Sequence, residues 1–380
     1  MPPILGQLVF GAALLAAACD RQSPTRAAAP GSGSAALVGP TTSIKGDEHI
    51  ELFATTAYVE GDHWVIPLHA WVYEPDFDSI RRRIAVTALG AAIGLTADDA
   101  SSDIFRTRAW PFLFDNERGK TVVIDIAGQR VVLPESGANG HAETVVRIPL
   151  TALPVPAQVT WIDARVAMPA SDPRAFASRV QLVPPTGLSI LSDIDDTVKI
   201  TNVLDKRQLA VNTFARPFRA VDGMPVVLSR WAAAGMSMHY LSGSTWQLSS
   251  QLAAFFDSVG LPAGVLDLKT VRLLDRSVLE LGADAYEFKV PRIDATLRHY
   301  PERQFVLVGD SGEKDPEVYA EMMKRYPQQI SAIYIRDITG EPLTAPRYQA
   351  LLVGPSMSAG RWTVFTDPTT LPRVPAPPAP

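Results

Sequence analysis

The second half of the sequence alternates continuous apolar runs with amphipathic stretches, and few folds are compatible with this alternation. The apolar runs read LSIL, MSMHYL, QFVLVG and ISAIYI, and residues 223–235, 246–260 and 316–327 between or after them have helical periodicity. A strand that is apolar along its whole length must be covered on both faces, as in a parallel sheet with helices on either side. The pattern therefore predicts an α/β fold from about residue 186.

The preceding region has a different pattern. Short segments rich in Val, Ile, Trp and Tyr alternate apolar with polar residues, and turn-forming stretches such as ESGANG separate them. Period-two alternation is typical of antiparallel strands with one buried face. We therefore expect a smaller β-rich, sandwich-like domain over residues 45–185, interrupted by a helical segment at 77–95. An α/β domain over residues 186–368 follows it.

The two ends of the chain resemble neither region. The apolar run over residues 8–18 is too short to span a bilayer well and has the length of a signal-peptide core. It ends in LLAAAC, which resembles the lipobox of bacterial lipoproteins and predicts a signal peptide over 1–19 with lipidation of Cys19. A plain signal peptide with an incidental cysteine is the alternative. Composition predicts a flexible linker over 20–44 and a disordered proline-rich tail over 369–380.

These end segments predict an exported bacterial protein, periplasmic or in the cell envelope, that reaches a membrane surface through Cys19. The net charge of -5 and the pI of about 5.7 give no reason to expect binding to nucleic acid. A single cysteine excludes an intramolecular disulfide. No protein partner is predicted from the sequence.

Polar residues follow three of the apolar runs. Ligands of parallel α/β sheets bind beyond the carboxyl ends of the strands, so these residues are candidates for one shared site. Several carboxylates close together need a cation, and hard oxygen ligands suit Mg²⁺ with a substrate phosphate. The candidates, with a lysine that precedes the third run, are Asp193, Asp195, Ser242, Gly243, Lys289, Asp310 and Asp315.

Taken in order, the segments DIDDT, HYLSGSTWQ, the lysine of AYEFKVPR and GDSGEKD resemble the four motifs of haloacid-dehalogenase-type phosphohydrolases. The longer segments SDIDDTVKITNV, NTFARPF and LVGDSGEKDPEVYAEMMKRYPQQISAIYIRDI resemble the catalytic domain of the actin-patch-type phosphatidate phosphatases, which is related to that of lipins. The resemblance covers about residues 186–340. It implies a haloacid-dehalogenase-like Rossmannoid sheet.

The resemblance also implies a role for each matching position. Asp193 is the expected nucleophile and a Mg²⁺ ligand. Asp195 is the expected general acid and then general base, and it binds the metal through its backbone carbonyl. Asp310 is the third metal ligand, and Asp315 binds through water or holds a lysine.

The phosphate-binding roles fall on the remaining positions. Lys289 neutralises charge on the transferring phosphoryl group, where electrostatic stabilisation matters most. Thr197 orients the loop and, with Ser242 and Gly243, belongs to the phosphate-binding set.

Several of these residues have a second, structural interpretation. Asp315 precedes Pro316, so it fits equally well as the N-cap of a helix with proline in its first turn. Ser242 and Ser244 fit as caps of the helix that follows, and Lys289 alone fits as a surface lysine. Asp196 is expected to bond to its own loop or to solvent, outside the catalytic set.

The leading functional hypothesis is a Mg²⁺-dependent phosphatidate phosphatase that forms diacylglycerol and phosphate through an aspartyl-phosphate intermediate. A phosphatase of soluble phosphomonoesters and a non-catalytic phospholipid-binding module are the alternatives. The presence of all the motif residues favours an enzyme. The short segment between Asp193 and the second apolar run leaves no room for a large cap domain, and an open site suits a bulky lipid.

Overall fold

The computed structural model describes residues 37, 39–75, 80–270, 285–353 and 359–375. The predicted signal peptide, Cys19 and most of the predicted linker lie outside these residues. The strands are β1 (His49–Leu52), β2 (Thr55–Glu60), β3 (His63–Glu74), β4 (Asp115–Asn116), β5 (Val123–Ile126), β6 (Gln129–Val132), β7 (His141–Pro149), β8 (Thr160–Val166), β9 (Ala177–Leu182), β10 (Leu188–Asp193), β11 (Ser237–Thr245), β12 (Val265–Lys269), β13 (Gln304–Asp310), β14 (Ile330–Arg336) and β15 (Trp362–Phe365). The α-helices are α1 (Ile80–Ala92), α2 (Ala97–Ser101), α3 (Asp103–Ala109), α4 (Lys206–Phe214), α5 (Met224–Ala233), α6 (Ser249–Val259), α7 (Ala285–His299), α8 (Asp315–Arg325) and α9 (Pro346–Leu351).

The first nine strands form one sheet in the order β1-β3-β2-β9-β8-β5-β6, and β4 and β7 also pair with β3. Its pairings are antiparallel except that β2 runs parallel to β9. Buried side chains from β3, such as Trp64 and Ile66, share one core with Ile124 of β5 and Val180 of β9. Alternating apolar residues along these strands therefore do form a common buried face.

The remaining strands form a six-stranded parallel sheet in the order β12-β11-β10-β13-β14-β15. The four predicted apolar runs are β10, β11, β13 and β14 at its centre, and α5, α6 and α8 fall where helical periodicity predicts them. The prediction of an α/β fold is confirmed. The edge strands β12 and β15 were not predicted.

Helices α1 to α3 come from the first half of the chain but pack against the parallel sheet. Val86, Phe105 and Phe112 lie in the same hydrophobic core as Phe214 of α4 and Leu252 of α6. The helical segment predicted at 77–95 is present as α1, whose side chains complete a core that begins on the other half of the sequence.

Polar and aromatic contacts also join the two sheets. Glu51 of β1 is half-buried, and its Oε1 accepts hydrogen bonds from Ser249 Oγ at 2.7 Å and from Ser250 Oγ at 3.2 Å, at the start of α6. The ring of Phe53 lies 4.4 Å from that of Trp246. Across the described ranges, no helix combines the length and the apolar character that crossing a membrane requires.

Candidate active site

Three buried aspartates meet at the carboxyl edge of the parallel sheet. Asp193 ends β10, Asp310 ends β13, and Asp315 is the first residue of α8. One carboxylate oxygen from each lies within 4.8 Å of the others. Each residue is at most 1 % exposed, so the repulsion among the carboxylates is poorly screened by water.

A buried lysine partly compensates these charges. Lys289 of α7 is 1 % exposed, and its Nζ lies 2.7 Å from Asp193 Oδ1 and 2.5 Å from Asp315 Oδ1. Glu313 Oε2 lies 3.8 Å from the same ammonium group. The interpretation of Lys289 as a surface lysine is therefore wrong. Asp193, Asp315 and Glu313 thus share the positive charge of Lys289.

Asp195 lies beside this cluster but has other partners. Its Oδ1 accepts a hydrogen bond from Thr201 Oγ1 at 2.8 Å and pairs with Lys199 Nζ at 2.6 Å. Its Oδ2 accepts hydrogen bonds from Ser242 Oγ at 2.7 Å and Ser244 Oγ at 3.3 Å. The structure thus brings Ser242 to Asp195, and the Asp195 side chain stands outside the three-aspartate group.

The neighbouring predicted residues have distinct surroundings. Asp196 has a left-handed backbone with φ of 53°, and its carboxylate accepts hydrogen bonds from the backbone N–H groups of residues 201 to 203, as expected of a loop-bonding residue. Thr197 is fully buried, and no hydrogen-bond partner for its Oγ1 is present within the described residues. Gly243 is exposed at an irregularity of β11, between Ser242 and Thr245.

The capping interpretations do not hold. Helix α8 has Lys314 as its N-cap, and Asp315 instead accepts hydrogen bonds from Lys289 and, through Oδ2 at 3.2 Å, from the backbone N–H of Asp310. Helix α6 has Leu248 as its N-cap, so neither Ser242 nor Ser244 caps it. None of these three side chains caps a helix. Asp315 belongs to the acidic cluster, and Ser242 and Ser244 contact Asp195.

The pKa values of the acids divide them into two groups. Burial and the neighbouring carboxylates raise the pKa of Asp193 and of Asp310 well above the usual range, and burial raises the pKa of Glu313 to about 7. Burial also acts on Asp195, but Lys199 and the hydroxyl donors outweigh it and lower its pKa to about 2. Lys289 keeps its charge, since Asp193 and Asp315 outweigh burial and raise its pKa.

The acidic cluster fits a metal ion. Asp193 Oδ2 and Asp310 Oδ2 are buried and have no hydrogen-bond partner among the residues that the structure describes. Buried carboxylate oxygens without a donor are costly unless a cation neutralises them. Asp193, Asp310 and Asp315 are therefore the residues that can hold a metal here, and oxygen-only donors favour a hard cation.

A glycine permits the close approach of strand and helix at this site. A Cβ atom on Gly309 would lie 2.3 Å from Asp315 Oδ2 and 2.7 Å from Asp315 Cβ. Any side chain at this position would displace Asp315 from the cluster.

Sequence reasoning missed three polar residues of the site: Lys199, Thr201 and Glu313. A signal for the first two is present in DIDDTVKIT, where residues 195, 197, 199 and 201 alternate with other positions, as they do when side chains project to one side. Glu313 stands within the quoted GDSGEKD segment, but its spacing alone does not distinguish it from a solvent-exposed acid.

Comparisons with known proteins agree with this geometry. Residues 188–337 match the family model described as the catalytic domain of phosphatidate phosphatase APP1. An uncharacterized protein of Schizosaccharomyces pombe is 31 % identical over 172 residues, which are 44 % of this chain and 28 % of that protein. Phosphatidate phosphatase APP1 of Saccharomyces cerevisiae is 27 % identical over 243 residues, which are 62 % of this chain and 40 % of that protein.

This chain thus spans less than half the length of each of these relatives. The matched segment runs from the first residue of β10 to just past the end of β14 and includes the three-aspartate cluster, Lys289 and Asp195. Over residues 188–337 this chain is similar to the catalytic domain of phosphatidate phosphatase APP1.

Proposed function

We propose that this protein is a Mg²⁺-dependent phosphatidate phosphatase of the haloacid-dehalogenase type, which releases diacylglycerol and phosphate. The observation that carries the proposal is the cluster of Asp193, Asp310 and Asp315 around Lys289 at the carboxyl edge of a parallel sheet. The match of residues 188–337 to the APP1 catalytic domain supports the choice of substrate. Regions 45–185 and 186–368 stay the proposed division of the chain, with α1 to α3 of the first region packed in the core of the second.

The chain's own residues account for the steps of phosphoryl transfer. Asp193, at the end of β10, attacks phosphorus to form an aspartyl-phosphate while the ester P–O bond breaks. Asp195 gives a proton to the departing alkoxide, and it then takes a proton from the water that attacks the aspartyl-phosphate. Lys289 holds Asp193 and stabilises charge on the phosphoryl group.

Ser242 and Gly243 are proposed to contact the phosphoryl oxygens, and Thr197 is proposed to orient the loop that carries Asp195. Asp193, Asp310 and Asp315, with the backbone carbonyl of Asp195, would hold a Mg²⁺ ion, which would supply charge neutralisation at the phosphate.

The proposed location is a bacterial envelope, with the protein held at a membrane through a lipidated Cys19. The proposed phospholipid substrate is compatible with this location. Growth with a labelled fatty acid, followed by purification of the chain and of its Cys19→Ser variant, tests it. Label in the unaltered chain that is lost from the variant is the expected result, and no label in either contradicts it.

The activity is tested with the full chain purified in detergent. Phosphate release from phosphatidate in mixed micelles is measured with Mg²⁺, with EDTA, and for the Asp193→Asn variant, beside a panel of soluble phosphomonoesters. We expect release from phosphatidate that needs both Mg²⁺ and Asp193. Release from soluble esters alone favours the second hypothesis, and binding of phosphatidate without any release favours the non-catalytic module.

A further inference from the structure

Lys199 is the second fully buried lysine of the site, and the phosphatase mechanism assigns it no task. It lies four residues after Asp195 and is 1 % exposed. Its Nζ is 2.6 Å from Asp195 Oδ1 and 2.7 Å from Thr201 Oγ1, and it lies 5.0 Å from the centre of the Phe218 ring. Burying an ammonium group costs several kcal/mol unless it is paired with well-placed polar partners. The burial of Lys199 therefore depends on its contacts with Asp195 and Thr201.

The backbone of Lys199 is also held, by two hydrogen bonds. Its N–H donates to Ile194 O at 2.9 Å, and its C=O accepts from the N–H of Asp196 at 2.7 Å. These bonds close the loop directly after the nucleophile strand. The ammonium group therefore approaches Asp195 from a fixed direction.

The two oxygens of Asp195 are bonded in different ways. Oδ1 is held by Lys199 and Thr201, which belong to the same loop as Asp195 itself. Among the residues that the structure describes, Oδ2 receives only the hydroxyls of Ser242 and Ser244, which come from the end of β11. Hydroxyl groups rotate readily, so those on Oδ2 can turn to a phosphoryl oxygen when an ester enters the site. The donors on Oδ1 remain with Asp195, because Lys199 Nζ also donates to Thr201 Oγ1 and so directs the hydroxyl hydrogen of Thr201 towards Asp195.

We propose that Lys199 and Thr201 are positioning residues that hold Asp195 through Oδ1 and so leave Oδ2 to exchange protons with the substrate. This inference rests on the proposed phosphatase function. It assigns to the loop the task of orienting Asp195, the proton donor, towards the leaving oxygen. The three-aspartate cluster does not perform this task. A positional error of about 1 Å in a catalytic group can cost about a hundredfold in rate.

The test separates this task from general damage to the site by changing the leaving group. It uses the ester that the unaltered chain hydrolyses best, phosphatidate or a soluble phosphomonoester, and the analogue of that ester with sulfur as the bridging atom. An alkoxide must be protonated as it leaves, whereas a thiolate leaves without a proton. The quantity compared is kcat/KM, which reports formation of the aspartyl-phosphate and excludes its later hydrolysis.

We expect Lys199→Met and Thr201→Val to lower kcat/KM for the oxygen ester about tenfold to a hundredfold, within the range of proton-transfer catalysis. For the sulfur ester we expect a change of less than about threefold. Asp195→Asn should give the same selective pattern with a larger loss. Ser189→Ala, which removes a buried hydroxyl from the other end of β10, serves as the matched control and should change neither value.

Equal losses on both esters would overturn the proposal, since they indicate damage to the phosphate or metal site. Unchanged hydrolysis of the oxygen ester in both variants would overturn it as well. Thr201→Val keeps the shape of the residue and provides the comparison if Lys199→Met fails to fold, which circular dichroism would reveal. If the unaltered chain hydrolyses no ester at all, the proposed function itself fails, and this inference with it.

Discussion

At the scale of single residues, the site holds more carboxylate groups than the nearby ammonium group of Lys289 can neutralise. Asp193, Asp315 and Glu313 surround the ammonium group of Lys289, and Asp310 lies in the same cluster of carboxylates. Burial and mutual repulsion raise the pKa values of Asp193 and Asp310, so ionising them in the folded state costs free energy. A site of this kind lowers the stability of the metal-free protein in exchange for metal affinity.

The first prediction concerns Asp310→Asn. We expect this variant to raise the free energy of unfolding by about 1–3 kcal/mol in EDTA, because it removes one buried charge and keeps an oxygen to accept the bond from Gly312. It should also lose the stabilisation that Mg²⁺ gives to the unaltered chain. Urea unfolding of the full chain, with EDTA and with Mg²⁺, measures both effects.

The control for this experiment is Asp222→Asn, which changes an exposed acid and should alter neither curve. A lower stability of Asp310→Asn in EDTA would show that its carboxylate is not repelled in the fold.

At the scale of elements, the turn from β13 into α8 determines where two of the three aspartates lie. Asp310 ends the strand and Asp315 begins the helix, and the N–H of Asp310 donates to Asp315 Oδ2 at 3.2 Å. Gly309 lets the first turn of the helix lie against the strand, because a Cβ there has no room. The geometry of the cluster therefore depends on backbone packing as much as on the acids themselves.

We accordingly expect Gly309→Ala to lower the free energy of unfolding by about 1–3 kcal/mol or more and to weaken Mg²⁺ binding. The measurements are urea unfolding and Mg²⁺ titration by calorimetry. Gly46→Ala is the matched control, because a Cβ at Gly46 meets nothing within 4 Å. Unchanged Mg²⁺ affinity in Gly309→Ala would contradict the proposed dependence of the cluster on this turn.

At the scale of the whole molecule, side chains from the first half of the chain form part of the hydrophobic core that covers the parallel sheet. Phe105, Trp110 and Phe112 are buried against residues of α4 and α6. Each such side chain contributes about 1.5–3 kcal/mol when it is fully buried. The total approaches the whole stability of an ordinary domain, which is about 5–15 kcal/mol.

We therefore expect the fragment 186–375 to be unstable by itself, although it contains the entire parallel sheet. It should bind a hydrophobic dye and unfold without a cooperative transition, whereas the fragment 39–375 should unfold cooperatively. Thermal unfolding and dye fluorescence of the two fragments test this. A cooperative transition in the shorter fragment would show that α1 to α3 are dispensable for its core.

A second prediction at this scale concerns pH. His69 of β3 and His141 of β7 lie on adjacent strands of the first sheet, and His69 Nε2 is 2.7 Å from His141 Nδ1. The ring centre of His69 lies 5.0 Å from that of Trp246. Burial lowers the pKa of His141 to about 4 and that of His69 to about 3. Both lie below the ordinary value of about 6.5, so the unfolded chain binds protons more readily. The stability that the neutral rings provide is present above pH 6.5 and is lost as the pH falls towards 4.

For one such histidine the loss between pH 7 and pH 5 is about 1–2 kcal/mol. His141→Phe should reduce the fall in unfolding free energy over this interval by about this amount relative to the unaltered chain. Urea unfolding at the two pH values measures it. His63→Phe, which changes a histidine in a half-buried position at the start of β3, is the control. Equal pH dependence in the His141 variant and the unaltered chain would contradict the assignment.

Much of the fold and of the candidate site could be predicted from sequence because it depends on local chain properties. Apolar runs between amphipathic stretches specify buried strands and helices, and acids directly after β10 and β13 must lie at one edge of a parallel sheet. The order of motifs was enough to identify Lys289, whose burial and bonds to Asp193 and Asp315 the structure then shows. The domain boundaries and the catalytic roles stay predictions.

Other features were decided by tertiary structure because they depend on contacts between distant segments. Sequence periodicity does not tell which core a helix joins, so the packing of α1 against the parallel sheet was not foreseeable. Edge strands such as β12 lack a long apolar run, since they are covered on fewer sides. The pairing of Lys199 with Asp195, and the position of Glu313 beside Lys289, follow from how the loops close over the strand ends, and spacing alone specifies neither.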